Sequence, residues 1–425
     1  MSDQKVMNRW FVVLGAILIQ LCLGAIYAWS VFTPKLKAAG WTAAQTQAVF
    51  AAGLAFFAIV MVFAGRMLPK VGPRKLTIAG GVVLGLGYAL AGLLGTTSFW
   101  AIFLLVGVVG GSGIGLAYVV PIAVGTRWFP DKKGLIMGLA VAGFGFGAMG
   151  WVKFAGAWGN LIATYGLSTT FLIYGVAFFV LVCIGGIWMV FPPEGYKPAG
   201  WEPAAATAGG AASGSVDYTS KEMLKTKQFY MIFLCFVAGG GAGLMSIGLM
   251  KLYPMQALQA NGISEAVASG IAGTAMAVFF SLANGLGRIM WGAMSDKLGR
   301  KLSITIMLGT QGLAVLAFPY MAGSQWPLWI FATIIGFNFG GNFALFPSIT
   351  ADTFGNKFVG QNYPWIFLAY GVGGILGPIM GGKLGDLGNF PLAFTICGVA
   401  CLVAAIIAGC TKPPKKELQA AKAAA

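Results

Sequence analysis

An all-α membrane protein of twelve transmembrane helices, arranged as two pseudo-symmetric six-helix bundles, is the fold class that three observations predict. The first is composition: 58% of the 425 residues are hydrophobic and only 9% are charged, whereas soluble domains carry about 25% charged residues. The second is that apolar runs of about 20 residues recur from end to end, each long enough to cross a hydrocarbon core about 30 Å thick. The third is an internal repeat, in which corresponding loops and spans of the two halves recur at a nearly constant offset.

Taken in order, the first six spans fall near 10–33, 46–68, 76–96, 99–124, 135–157 and 168–191. The second six fall near 228–252, 264–292, 302–322, 326–350, 362–382 and 390–410. The division gives an N-terminal bundle over 1–191, a linker over 192–227, a C-terminal bundle over 228–411 and a tail over 412–425. Proline, alanine, glycine and serine dominate the start of the linker, and its basic end, DYTSKEMLKTK, suits a short surface helix. The N-terminus, MSDQKVMNRW, runs straight into a full-length span with no small-residue cleavage site, so no cleaved signal peptide is expected. The 65 glycines and 32 phenylalanines suit closely packed membrane helices.

The formal net charge of +16 invites a nucleic-acid reading, but the basic residues sit in short loops between spans and form no contiguous face. Of the 27 Lys and Arg, 21 collect on one side when the N-terminus, even-numbered hairpins, linker and C-terminus are assigned to it. The other six are Lys35, Lys37, Lys153, Lys251, Arg288 and Lys383. That asymmetry places both termini in the cytoplasm, in a multi-pass protein of the inner membrane whose partner is the lipid bilayer. Lys153 and Lys383 are expected to snorkel outward, and Lys35 and Lys37 to be solvated at the mouth of span one. The six cysteines lie in apolar segments without metal-ligand spacing and read as small core residues. No cofactor or metal is expected.

The repeat is specific. Gly65-Arg-Met-Leu-Pro-Lys-Val-Gly-Pro-Arg-Lys75 is mirrored by Gly292-Ala-Met-Ser-Asp-Lys-Leu-Gly-Arg-Lys301, with Gly292 at an offset of 227 from Gly65. Pro347 mirrors Pro121 at 226, and Phe354 mirrors Phe129 at 225. Duplicated six-helix halves facing each other across a central cavity are a transporter architecture.

Span eight carries the residue that matters most. Between Val267 and Trp291 it holds one charge, Arg288, with Asn284 one turn before it. A guanidinium near hydrocarbon depth needs an anion, a water-filled cavity or a route to the headgroups, and no acidic residue shares its apolar segment. Snorkelling is the plain alternative. Against it, the repeat mate of Arg288 is Met61, so the duplicated scaffold requires no charge there. A guanidinium fork can hold a carboxylate bidentately, which makes Arg288 the candidate substrate-binding cation; the Asn284 amide can orient it or donate to a substrate hydroxyl, with an interhelical hydrogen bond as the plain alternative. Tyr118 and Tyr370 lie far from the span ends, so their buried hydroxyls need partners that a small carboxylate could supply. The glycine clusters at 110–115 and 371–382 lack a strand–loop–helix setting and a Gly-Lys-Ser/Thr ending, and read as helix packing.

The G-x-x-x-D-K-x-G-R-K loop after span eight resembles the signature loop of the major facilitator superfamily, matching at Gly292, Asp296, Gly299 and Arg300. The first copy departs, with Pro69 in the acidic place. Within that superfamily RWFPDKKG (127–134), ALFPSITADTFG (344–355) and Arg288 resemble the oxalate:formate antiporter and monocarboxylate transporter branch. The resemblance implies that Arg288 binds carboxylate and that Tyr27, Tyr118, Phe339, Phe343 and Phe367 are aromatic cavity positions. Tyr27 and Phe343 join Arg288, Asn284, Tyr118 and Tyr370 as candidate site residues. The oxalate exchanger's second cation, a lysine in span eleven, falls on Tyr370 here. One cation neutralises one carboxylate, so the implied substrate is a monocarboxylate such as lactate, pyruvate or formate. Eukaryotic relatives carry an acidic residue where Asn284 stands.

The resulting expectation is a monomeric secondary transporter of small monocarboxylates working by alternating access, with a proton as co-substrate. An oxalate/formate-type anion exchanger and a non-transporting membrane sensor are the alternatives. An enzyme would need acid–base, nucleophilic or metal constellations in the spans, and none is visible.

Overall fold

Backbone groups in hydrocarbon must find their hydrogen bonds within the segment, which leaves the helix as the form for long apolar runs. The computed structural model describes residues 7–94, 98–129, 133–193, 196–198, 217–355, 358–412 and 414. Each predicted span is a helix within it. The N-terminal six are α1 (Trp10–Val31), α2 (Ala43–Val71), α3 (Pro73–Leu94), α4 (Phe99–Ile102, Phe103–Gly110 and Gly111–Trp128 in succession), α5 (Lys133–Ala155) and α6 (Leu161–Ile187). The C-terminal six are α7 (Lys227–Leu249), α8 (Glu265–Leu298), α9 (Arg300–Met321), α10 (Gln325–Phe354), α11 (Val359–Asp386) and α12 (Phe390–Cys410). Most of the proposed linker and of the tail lies outside the described residues.

The duplication is visible in the backbone. Gly72 ends α2 at φ +86° and ψ 152°, and its repeat mate Gly299 ends α8 at φ +83° and ψ 149°. An L side chain is strained in that region, so both loops turn on a glycine. Pro121 and Pro347 both lie inside their helices, α4 and α10. The two copies of the loop differ where the sequence differs. Arg300 pairs with Asp296 at 2.6 Å and with Asp352 at 3.2 Å, tying the α8–α9 turn to the end of α10. A cleft of about 580 Å³ opens beside this network. Pro69 supplies no carboxylate for such a pair in the first half.

Several local features differ from the expected plain helices. Residues Gly24–Val31 wind as a 3₁₀ helix, and Phe103–Gly110 and Ala275–Phe280 as π-helical stretches. Gly166 breaks α6 at φ +75°, so its continuous part begins close to the predicted start at 168. Two short helices, Thr33–Ala38 and Leu252–Ala260, come after α1 and α7. The basic end of the linker does form a short helix, Ser220–Met223, capped reciprocally by Thr219 and Glu222. It docks on the C-terminal half through Tyr218, whose N–H donates to Phe354 O at 2.9 Å and whose carbonyl accepts from Asn362 Nδ2 at 2.9 Å.

The two halves meet through α2 with α11 and α5 with α8, and the seam is tied on the face opposite the termini. There Asp386 accepts from the N–H groups of Ala43 at 2.5 Å and Ala44 at 2.8 Å. Thr42 and Gln45 complete a capping box, so this helix start spans both halves. Lys37 stands 3.9 Å from Asp386 and is thus an ion-pair partner, not a free loop lysine; Lys35 is exposed. Gln47 Nε2 donates to Gly248 O at 3.1 Å. Lys383 is exposed, as expected, but Lys153 does not snorkel outward: its Nζ crosses the seam to Thr274 Oγ1 at 3.1 Å. Losing a helix cap costs about 1 kcal/mol, so Asp386→Ala is expected to loosen this seam. Hydrogen–deuterium exchange at 43–50 should quicken several-fold, and unchanged exchange would remove Asp386 from the closure.

Candidate functional site

α8 opens on Glu265, a carboxylate in its first turn where the helix dipole favours one. The π-helical stretch Ala275–Phe280 then shifts the register of the rest of the helix. Past it, Asn284 and Arg288 fall one turn apart on one face, and Arg288 Nε donates to Asn284 Oδ1 at 3.3 Å. Arg288 is 3% exposed and Asn284 fully buried. Arg288 Nη1 and Nη2 and Asn284 Nδ2 are all buried without a hydrogen-bond partner. Among the described residues no carboxylate pairs with this guanidinium, and it does not reach toward the surface.

Aromatic rings enclose it. The guanidinium carbon sits 4.0 Å from the Phe343 ring centroid and 5.6 Å from that of Phe144. A desolvated cation–π contact is worth about 2 kcal/mol, while removing a guanidinium from water costs several. The rings therefore leave a deficit that a buried anion would fill.

The six residues singled out in the sequence converge here. Tyr27 on α1 and Tyr370 on α11 share a hydroxyl–hydroxyl hydrogen bond of 3.1 Å across the two halves. The hydroxyls of Tyr27 and Tyr118 both approach the Arg288 guanidinium closely enough for a polar interaction with it, short of a well-formed hydrogen bond at Nη1 or Nη2. Phe343 stacks edge-on to Tyr370, with centroids 5.5 Å apart. Phe339 contacts Tyr27 at 5.6 Å and Phe367 contacts Tyr370 at 5.1 Å, so both implied aromatic positions also belong to the cluster.

Backbone approach explains the convergence. A Cβ on Gly24 would lie 2.2 Å from Phe144 O, so α1 and α5 touch there and bring Tyr27 onto Phe144. Gly145 meets Gly285 where α5 crosses α8, and a Cβ there would stand 3.3 Å from Arg288 Nε. That crossing is bonded too: Ser281 Oγ donates to Gly145 O at 2.8 Å and accepts from Met149 N–H at 3.1 Å.

Two wall residues are not apparent from the sequence patterns alone. Phe144 packs on Tyr27 and Tyr118 at 5.1 and 5.2 Å, and Phe57 packs on Tyr118 and Tyr370 at 4.9 and 5.7 Å. The repeat holds the signal. Phe144 is the mate of Tyr370 at the Pro121–Pro347 offset of 226, and Phe57 the mate of Asn284 at 227. Pseudo-symmetry thus puts a ring opposite Tyr370 and opposite Asn284, while the mate of Arg288 is Met61.

A sequence profile of the Major Facilitator Superfamily matches residues 10–280 and 252–425. The chain belongs to this superfamily. Its duplicated bundles and twelve apolar helices are those of a membrane transporter, not an enzyme. Among major facilitator proteins it is 31% identical to the MFS-type transporter YhjX of Escherichia coli, over 87% of this chain and 86% of that one. It is 27% identical to the oxalate:formate antiporter of Oxalobacter formigenes, over 94% of this chain and 91% of that one. Identity to monocarboxylate transporter 13 of Rattus norvegicus is 24%, over 92% and 86%.

Proposed function

We propose that this major facilitator protein carries small monocarboxylates, such as lactate, pyruvate or formate, by alternating access in symport with a proton. The observation that carries the reading is the Arg288 guanidinium, buried with Nη1 and Nη2 unpartnered amid aromatic rings. A carboxylate accepting from both nitrogens would neutralise the charge with a bidentate, charge-assisted pair. The Asn284 amide, also unpartnered, can donate to the same anion or to a substrate hydroxyl.

One guanidinium matches one carboxylate. Tyr370 occupies the place of the oxalate exchanger's second cation, so a dicarboxylate would bring an uncompensated charge into a dry site. Phe144 and Phe57 give the cavity an apolar wall that suits a short alkyl chain. The anion would touch groups from both halves, since Tyr27 and Tyr118 belong to one and Arg288 and Tyr370 to the other. Such bridging favours the closed intermediate through which the halves exchange faces.

The basic asymmetry supports both termini lying in the cytoplasm, and the proposed carrier is an inner-membrane protein acting as a monomer. In that orientation the tied seam closes the outside. Proton coupling rests on the family resemblance, with the substrate carboxylate, Arg288 and a tyrosine sharing the proton. Anion exchange is the second reading, and one observation favours it. The chain has no histidine, and its described acidic residues lie in the linker or near helix ends, so the usual intramembrane proton carriers are missing.

Radiolabelled L-lactate uptake into proteoliposomes separates the readings. Symport is expected to raise initial uptake several-fold under an inward proton gradient, with oxalate failing to compete. Oxalate exchange indifferent to pH would replace it with the exchanger.

A further inference from the structure

Above the central site, on the face opposite the termini, two lysines from different halves come together. Lys153, near the end of α5, donates to Thr274 Oγ1 at 3.1 Å. Lys251, in the turn after α7, lies against the same stretch of α8, its Nζ 3.5 Å from where a Cβ on Gly273 would stand. Both lysines are half-buried, and among the described residues neither has a carboxylate partner. Asp386, the acid that ties this face together, is taken by Lys37 and by the start of α2. Glu265, at the other end of this part of α8, is exposed and about 13 Å away along the helix. Two ammonium groups thus face the same stretch of α8, near enough for the charge of one to act on the other, with no carboxylate paired to either among the described residues.

We propose that Lys153, Lys251 and Thr274 form a second anion site, which a small monoanion such as formate or lactate occupies when the two halves close on this face. The ligand chemistry comes from the groups themselves. Two ammonium donors and a hydroxyl suit one compact oxyanion. The site is separate from the central one, since Thr274 lies 14 residues before Arg288 on α8, a rise of about 20 Å.

Its consequence is a linkage between anion and gate. Empty, the seam sets Lys153 against Lys251, and burial together with the Lys153 charge lowers the Lys251 pKa from 10.5 to about 8. Filled, the anion cancels that repulsion and bridges the halves, so it binds the closed arrangement better than the open one. A monocarboxylate arriving from this side would therefore meet a staging point before Arg288. That choice of occupant rests on the proposed function, but the site itself does not.

The test uses the full-length protein in phosphatidylcholine nanodiscs at pH 8. Acylation of Lys251 by an N-hydroxysuccinimide ester is read by mass spectrometry, with sodium formate or with sodium HEPES of equal ionic strength. Formate is expected to slow labelling of Lys251 about five-fold, the change that a one-unit rise in pKa gives at that pH. The same protection is expected in Arg288→Ala, and its loss in Lys153→Met with retention in Lys153→Arg. Equal labelling in formate and HEPES overturns the proposal. So does protection that disappears in Arg288→Ala, because the anion would then act through the central site. Protection by added phosphatidylglycerol but not by formate also overturns it, assigning the lysines to lipid headgroups. Transport plays no part in the labelling, so wild-type uptake by Arg288→Ala would refute the central carboxylate site and leave this one standing.

Discussion

Arg288→Lys is expected to lower uptake of the proposed monocarboxylate about 100-fold or more and to leave a folded, membrane-inserted protein. A lysine keeps the charge but offers one ammonium in place of a planar fork, so neither bidentate geometry nor the Asn284 contact at Nε survives. Truncating one partner of a buried charge pair costs about 3–5 kcal/mol, and each 1.4 kcal/mol is a factor of ten in affinity. The effect on the empty protein has the opposite sign. There the guanidinium is buried with Nη1 and Nη2 unsatisfied, so Arg288→Met removes a desolvated charge and fills the space with an apolar chain of similar length. We expect its melting temperature in detergent to equal or exceed that of the parent while lactate uptake vanishes. Residual uptake at the parental rate, or a melting temperature lowered by many degrees with full uptake, would mean that Arg288 serves the scaffold and not the cargo.

This opposition shows why the centre of the site is legible in the chain alone. A charge in a span has few ways of being tolerated, and the absence of an acidic residue from the same apolar segment removes the internal partner. Asn284 is placed by helical spacing, and Tyr118 and Tyr370 by being polar aromatics far from the interfaces. The twelve spans are legible because the bilayer fixes their length and hydrogen bonding fixes their form. Features that depend on register and crossing geometry stay hidden. Nothing in AMAVFF marks it as a π-helical stretch, nor GAIYAWSV as 3₁₀. Lys153 is misplaced by its sequence position for a related reason. A lysine near a span end fits snorkelling as well as a bond across the seam, and only the placement of α5 against α8 separates the two. Phe144 is within reach of the repeat, because the 226-residue offset pairs it with Tyr370, but the repeat shows most plainly in its loops and prolines and less so in the cavity walls.

The second large effect concerns the crossing that holds the guanidinium in place. α8 and α10 approach through glycines on both sides. A Cβ on Gly340 would stand 2.1 Å from Asn284 O and 3.1 Å from Asn284 Oδ1, and one on Gly287 would stand 2.0 Å from Phe337 O. Real side chains do not approach backbone oxygens so closely, so one methyl at Gly340 must push the two helices apart. Overpacking of this kind costs about 1–3 kcal/mol, occasionally more, against the roughly 1 kcal/mol that a glycine-to-alanine change returns in helix propensity. Gly340→Ala is therefore expected to lower the melting temperature by several degrees. Because the displaced atoms belong to the residue that orients Arg288, uptake should fall about ten-fold or more even in the fraction that remains folded. Gly309→Ala is the matched control: it lies inside α9, and its Cβ would meet nothing nearer than Ala405 Cβ at 4.0 Å. That variant should hold or raise the melting temperature and transport normally. Equal behaviour of the two variants would show that the α8–α10 seam yields freely, and a seam that yields cannot hold a buried guanidinium in one orientation.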